Sequence, residues 1–192
     1  YHETINIHKM KKLILLSLLT LQFGLLAAQN ADGQGRLSRL FNFGWKFHAG
    51  DLKDAYSVNY DDSSWRVLDL PHDFQIEQPW DKDAGGARGF KAMGTGWYRK
   101  TFVVPEKYQE KQLVIEFDGA YMNAEVYLNG KKLGVHPYGY TAFAFDLTDG
   151  LICDGKTENV LVVKTNNQIP SSRWYSGSGI YRDVTLTVTD DV

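Results

Sequence analysis

The chain has 192 residues, long enough for one domain with a tail and too short for a large multidomain enzyme. Its 21 Lys and Arg stand against 23 Asp and Glu, so there is no basic surplus to neutralise a phosphate backbone, and nucleic acid is not an expected partner. A single cysteine, Cys153, cannot close an internal disulfide, which leaves packing to hold a composition that is 43% hydrophobic and 14% aromatic.

The first element is a leader. Met10 is followed by Lys11-Lys12 and then by Leu13 to Ala28, apolar except for Ser17, Thr20, Gln22 and Gly24. A positive n-region, a leucine-rich h-region and the small pair Ala27-Ala28 before Gln29 read as upstream residues and a secretory signal over 1–28. The run falls short of the roughly 20 residues that span a bilayer, and polar Gln29-Asn30-Ala31-Asp32 follows it directly. The expectation is an exported product, periplasmic or extracellular, with a linker over 29–36 and one domain over 37–192. Residues 1–28 carry three lysines and one glutamate, so the remainder is mildly acidic.

Beyond the linker the pattern is strands and turns. Pro71 to Gly96 is a long glycine-rich irregular segment holding His72, Asp73, Trp80 and Arg88. Trp97 to Val104 reads as a strand stopped by Pro105, and Leu113, Ile115 and Phe117 alternate with polar neighbours, as in a half-buried strand. Ala124 to Leu128 runs into Asn129-Gly130 and returns through Leu133-Gly134-Val135, a hairpin whose turn residues tolerate the positive φ angles of type I′. Thr141 to Leu147 is a further strand. Val160-Leu161-Val162-Val163 is apolar on both faces, as a central strand of a covered sheet requires. A second irregular segment, Asn166 to Gly179, holds Arg173, Trp174 and Tyr175 and precedes a last strand with Val184, Leu186 and Val188 opposite Thr185, Thr187 and Thr189. No helical period is sustained after residue 30. The fold class is all-β, an antiparallel β-sandwich of jelly-roll type, galactose-binding-domain-like.

Motifs for common chemistries are missing. Gly85-Gly86-Ala87-Arg88-Gly89 has no following Gly-Lys-Ser/Thr, so it is no phosphate loop. His48, His72 and His136 are isolated from one another and from Cys153, which gives no metal-ligand spacing and no expected metal or cofactor. Glu77, Glu106, Glu110, Glu116, Glu125 and Glu158 could supply a glycosidase pair only by approach in space, and each is expected to act as a surface group instead. Aromatic residues are more informative, because sugars present apolar C–H faces to them while nearby polar groups bond the hydroxyls. Trp45, Trp65 and Trp97 are expected in the core. Trp174 and Tyr175, with Arg173 beside them and Asn166 and Asn167 upstream, have a sugar-binding composition.

Six stretches carry a family resemblance: Phe43-Gly44-Trp45-Lys46-Phe47, Asp61 to Trp65, Leu70-Pro71-His72-Asp73-Phe74, Gly96 to Phe102, Phe117-Asp118-Gly119 with Val126 to Gly130, and Ser172-Arg173-Trp174-Tyr175 through Gly179-Ile180-Tyr181-Arg182. In this order and spacing they resemble the N-terminal sugar-binding domain of glycoside hydrolase family 2, the β-galactosidases, β-glucuronidases and β-mannosidases. The resemblance implies a jelly roll whose loops reach a sugar pocket, with both catalytic glutamates on a TIM barrel further along the chain. Such a barrel takes about 200 to 250 residues, so this chain is expected to lack catalytic residues and to be inactive alone. Some β-galactosidases carry an aspartate before the Gly-Ile-Tyr-Arg signature that reaches the sugar and a cation; here the position reads Ser171-Ser172-Arg173. The implied role is the non-catalytic module of an exported exo-β-glycosidase, most nearly a β-galactosidase, with a β-glucuronidase or β-mannosidase module or a free-standing lectin as alternatives. The candidate substrate-binding residues are Arg173, Trp174, Tyr175, Asp73 and Asn166. Its expected partners are a β-glycoside and the catalytic barrel in cis, with homo-oligomerisation left open.

Overall fold

A computed structural model describes residues 35–167 and 175–190; the leader, most of the linker, Arg173 and Trp174 lie outside the described residues. Ten strands follow one another: β1 Leu37–Leu40, β2 Trp45–Ala49, β3 Arg66–Leu68, β4 Gly94–Val103, β5 Lys111–Phe117, β6 Ala124–Leu128, β7 Lys131–His136, β8 Phe143–Asp146, β9 Glu158–Asn167 and β10 Val184–Asp190. Among the described residues there is no α-helix, only four short 3₁₀ turns. The strands form a four-stranded sheet in the order β1-β10-β5-β8 and a six-stranded sheet in the order β3-β2-β4-β9-β6-β7, every pairing antiparallel. This is the expected all-β antiparallel sandwich.

Strand β9 sits in the middle of the larger sheet and is buried on both faces. Leu161 and Val163 point into the core between the sheets, beside Trp45, Phe47, Tyr98, Ile115 and Phe117. Val160 and Val162 point the other way, into a second cluster with Trp97, Tyr127, Ala55 and Trp65. The side-chain period of two sends alternate residues of one strand into different cores. All three tryptophans expected in the core are there, at 0%, 6% and 2% exposure for Trp45, Trp65 and Trp97.

The outer cluster needs a cover, which the segment from Leu52 to Trp65 provides. Arg99 on β4 fastens it. Its side chain is 2% exposed, and it donates to Asp62 Oδ2 at 2.9 Å, to the Ala55 carbonyl at 2.7 Å and to the Ser57 carbonyl at 3.0 Å. Lys46 holds the second oxygen of Asp62 at 2.6 Å. Against desolvation, these two cations keep the Asp62 carboxyl below its ordinary range.

Asn129 and Gly130 both have positive φ, 49° and 79°, as the hairpin turn between β6 and β7 demands. Several boundaries differ from the expectation: β8 is Phe143–Asp146 rather than Thr141 to Leu147, and β4 ends at Val103. The irregular segments are shorter at one end, because β4 begins at Gly94 and β9 runs on through Asn167. Gly and Asn are poor strand formers, but here each is paired across the ladder, Gly94 with Asn167 and Thr95 with Asn166, and pairing overrides propensity. Thr187, expected outward, is 6% exposed: β10 lies between β1 and β5, and the Thr187 and Ser38 hydroxyls share a 2.9 Å hydrogen bond.

Replacing Arg99 by Met is expected to lower unfolding stability by about 3–5 kcal/mol in urea titration, since it takes the buried cation from Asp62, leaving only Lys46, and leaves three carbonyls under cover, those of Ala55, Ser57 and Val58, without their donor. Lys46→Met, which removes the more exposed arm of the same ion pair, is expected to cost about 1 kcal/mol or less.

Candidate functional site

The β4–β9 ladder ends at Gly94 opposite Asn167, so the chain entering β4 and the chain leaving β9 emerge side by side. That register brings the two long loops to one end of the sandwich. There His72 N–H donates to the Ile180 carbonyl at 2.7 Å and Phe74 N–H to the Ser178 carbonyl at 2.9 Å. On its other side Gly179 exchanges two 2.9 Å backbone bonds with Tyr121. Residues 178–180 are thus held from both sides.

Asp73 is the centre of this junction. Its Oδ1 accepts from the backbone N–H groups of Gln75 at 2.9 Å and Ser178 at 2.8 Å, and its Oδ2 accepts from the Tyr175 hydroxyl at 2.6 Å. Charge-assisted bonds of this kind are shorter and stronger than neutral ones. Burial, and then the carboxylate it serves, raise the Tyr175 phenol above its ordinary pKa. Two glycines allow the approach. A Cβ on Gly177, at φ 73°, would stand 2.9 Å from Asp73 Oδ2, and one on Gly179, at φ 116°, would stand 2.2 Å from the Tyr98 hydroxyl.

Behind the carboxylate lies a layer of buried amides. Asn167 is 0% exposed and donates through Nδ2 to the Gly177 carbonyl at 2.9 Å and to Ser178 Oγ at 2.7 Å. Ser178 Oγ in turn donates to Gln75 Oε1 at 3.2 Å. Among the described residues, two polar atoms of this layer are buried without a hydrogen-bond partner, Asn167 Oδ1 and Gln75 Nε2; Thr95 Oγ1 and Asn166 Oδ1 are likewise unbonded, on the opposite face of the same strand ends. Each such atom costs roughly 1–3 kcal/mol, so these polar side chains do not serve stability.

A second network lies on the other flank. The His72 ring is 2.9 Å from the Tyr98 hydroxyl through Nδ1, and its Nε2 faces Glu77 at 3.3 Å and Arg66 at 3.0 Å. Arg66 donates to Glu77 at 2.7 Å. Desolvation lowers the His72 pKa in spite of Glu77, and Glu77 is itself lowered by Arg66 and His72 against its own desolvation.

Of the candidate residues, Asp73 and Tyr175 are joined directly. Asn166 stands on the neighbouring strand end and is tied elsewhere, its N–H to the Met122 carbonyl at 2.8 Å and its carbonyl to Asn123 Nδ2 at 3.1 Å. Arg173 and Trp174 lie outside the described residues. Asn167, Gln75 and Ser178 were not singled out individually from sequence, though the period-two series Leu161, Val163, Thr165, Asn167 carries Asn167 inward with its apolar neighbours. Among the described residues no three His, Cys, Asp or Glu side chains converge as a metal site.

Residues 41–190 match the family described as glycosyl hydrolases family 2, sugar binding domain. The chain is 49% identical over 155 residues to the β-galactosidase BoGH2A of Bacteroides ovatus, covering 79% of this chain and 18% of that protein. It is 43% identical over 154 residues to a putative β-glucuronidase of Formosa agariphila, covering 79% of this chain and 15% of that one. Among solved structures, it superposes on a glycosyl hydrolase family 2 member from Bacteroides cellulosilyticus with TM-score 0.77 and 40% identity, over 80% of this chain and 20% of that chain. A β-glycosidase from Bacteroides vulgatus gives TM-score 0.74 and 44% identity, over 79% and 20%. The chain therefore spans about a fifth of the length of these relatives.

Two outcomes test the site's electrostatics. The unfolded chain protonates its histidine first, near pH 6.5, so the part of stability tied to neutral His72 is complete above that pH and declines as pH falls through the lowered folded value. Urea midpoints measured from pH 8 to 5 should show this decline, and His72→Gln should flatten it. Asp73→Ala is expected to cost about 1–3 kcal/mol in the same assay at pH 7, because it leaves the Gln75 and Ser178 N–H groups and the Tyr175 hydroxyl without their acceptor.

Proposed function

The chain belongs to the sugar-binding domain family of glycosyl hydrolases family 2, and from that premise we propose that it is the non-catalytic, carbohydrate-contacting part of an exported exo-β-glycosidase acting on β-galactosides. The observation that carries this reading is the Asp73–Tyr175 bond at 2.6 Å. It fixes an aromatic ring, still 41% exposed, directly after Arg173 and Trp174 and beside the loop that begins at Pro71. A ring whose hydroxyl is already bonded loses little freedom when a sugar face stacks on it. Arg173 would donate to a hydroxyl or to the neighbouring domain, and Trp174 would supply a second flat surface. Asn166, with a buried unbonded Oδ1, has an acceptor to offer.

In this reading hydrolysis resides in a catalytic barrel in the same polypeptide, against which the loop end of the sandwich lies. The 49% identity to BoGH2A favours a β-galactoside, and the 43% identity to the putative β-glucuronidase keeps a β-glucuronide as the second reading.

In the full-length protein, Tyr175→Ala and Trp174→Ala are each expected to lower kcat/KM for a nitrophenyl β-galactoside by about three- to tenfold, the worth of one aromatic contact. Tyr175→Phe, which keeps the ring and loses only its bond to Asp73, should fall between. Wild-type turnover of the β-glucuronide in preference to the β-galactoside would select the second reading. Binding of sugars without turnover of either would favour the lectin.

A further inference from the structure

The loop that leads into β4 turns through two 3₁₀ segments, Lys82–Ala84 and Gly86–Arg88, and borders an open cleft of about 470 Å³. Asp81, Arg88, Lys91, Met93 and Asn167 are among the residues lining it. Arg88 is half-buried, yet among the described residues its side chain makes one hydrogen bond, from Nη1 to the thioether sulfur of Met93 at 3.4 Å. A thioether is a weak acceptor for a group that carries five donors and a full charge. Arg99 and Arg66 each have a carboxylate. Arg88 has none among the described residues, and a partly desolvated guanidinium left in that state is costly.

Two neighbours give the cleft its character. Lys91 places a second positive charge in the wall; its ammonium donates to the carbonyls of Ile76 and Gln78 and lies 4.2 Å from the Trp80 ring centre. Asp81 sets one negative charge against these two, its Oδ1 accepting from the Asp83 N–H at 2.9 Å, which leaves the wall one charge positive. Asn167, fully buried, lines the same cleft with its Oδ1 unbonded. The Gly177 carbonyl can accept only from the amide nitrogen, which fixes which end of Asn167 is left over, and that end is an acceptor. One residue ahead of Asp81, Trp80 is 76% exposed and adds an indole next to these groups.

We propose that this cleft is a subsite for an acidic sugar, whose carboxylate or sulfate ester is bound by Arg88 and whose hydroxyl donates to Asn167. A guanidinium fork matches either anion in a bidentate manner. Inorganic sulfate has no proton to offer Asn167, and a neutral sugar leaves Arg88 as it stands; an acidic saccharide satisfies both. This inference rests on the carbohydrate reading above and adds to it the charge class of the glycan and the residue that reads it.

The test is an NMR titration of the protein with glucuronate, galactose 6-sulfate, their neutral parents glucose and galactose, and inorganic sulfate. At least one acidic sugar should bind about tenfold or more tightly than its neutral parent, the usual worth of a charge-assisted bond. Arg88→Gln should abolish that preference while leaving neutral-sugar affinity within about twofold, and the two acidic arms separate a uronate from a sulfate ester. Equal affinity for acidic and neutral sugars, or an acidic preference that survives in Arg88→Gln, overturns the inference and leaves the carbohydrate reading intact. Inorganic sulfate binding as tightly as the acidic sugars overturns the saccharide assignment at Arg88. Binding of none of the sugars overturns both.

Discussion

Strand β9 is apolar on both faces, and the need to bury both organises the molecule. One face is met by the four-stranded sheet, the ordinary arrangement of a sandwich. The other belongs to the outside of the six-stranded sheet and would lie in water unless something were laid over it. The segment carrying Leu52, Ala55, Tyr56, Tyr60 and Trp65 does this, and it has no strand pairing of its own to hold it there. Polar attachment therefore replaces a ladder. Arg99, projecting from β4 on the same face as Trp97, gathers Asp62 and three backbone carbonyls of the cover, those of Ala55, Ser57 and Val58. The buried cation is tolerated because its donors are spent on fixed acceptors, and its removal would expose the apolar stripe beneath it.

The same strand determines where the loops meet. Its ten-residue pairing with β4 ends in residues that are polar or small, Thr95, Gly94, Asn166 and Asn167, after a stretch of aliphatic ones. At that end the sandwich changes from a hydrophobic solid to a polar junction. Asp73 serves the junction as Arg99 serves the outer cover, a single charge satisfied by neighbours distant in sequence. The difference lies in completeness. Arg99 is surrounded by acceptors, whereas among the described residues the amides behind Asp73 keep buried atoms unbonded and Arg88 keeps a guanidinium without a carboxylate. Stability would be better served by apolar side chains in those places, and it is on their retention at one end of the molecule that the proposed carbohydrate contact rests.

Much of the fold is legible in the residues, because it depends on short-range periodicity. The alternation at Leu113 to Phe117, the Asn129-Gly130 turn and the double-faced Val160 to Val163 each report a local requirement, and each stands as expected. The short strands β1 and β3 were not legible: Leu37–Leu40 and Arg66–Leu68 have little pattern and owe their form to the strands beside them. The same reason explains the extension of β4 and β9 into Gly94 and Asn167. Within the site, Asp73 and Tyr175 could be named from their motifs. Their hydrogen bond could not be, since 102 residues separate them and nothing local in either loop specifies the other.

What the sequence by itself determined is the class of the object: a β-sandwich, a covered central strand, Trp45, Trp65 and Trp97 consigned to the core and a set of motifs in the order of one glycosidase family's sugar-binding domain. These follow from side-chain period, turn chemistry and residue type, all properties of neighbours along the chain. Only the tertiary structure decided which polar groups are satisfied and which are left over. Arg88 and Arg99 are the same residue type, and nothing in their local sequence says that one is clasped by an aspartate and the other rests against a methionine sulfur. Satisfaction of a charge depends on what long-range packing brings within hydrogen-bond distance, and that is settled by the register of β4 on β9 and by the loops this register brings together.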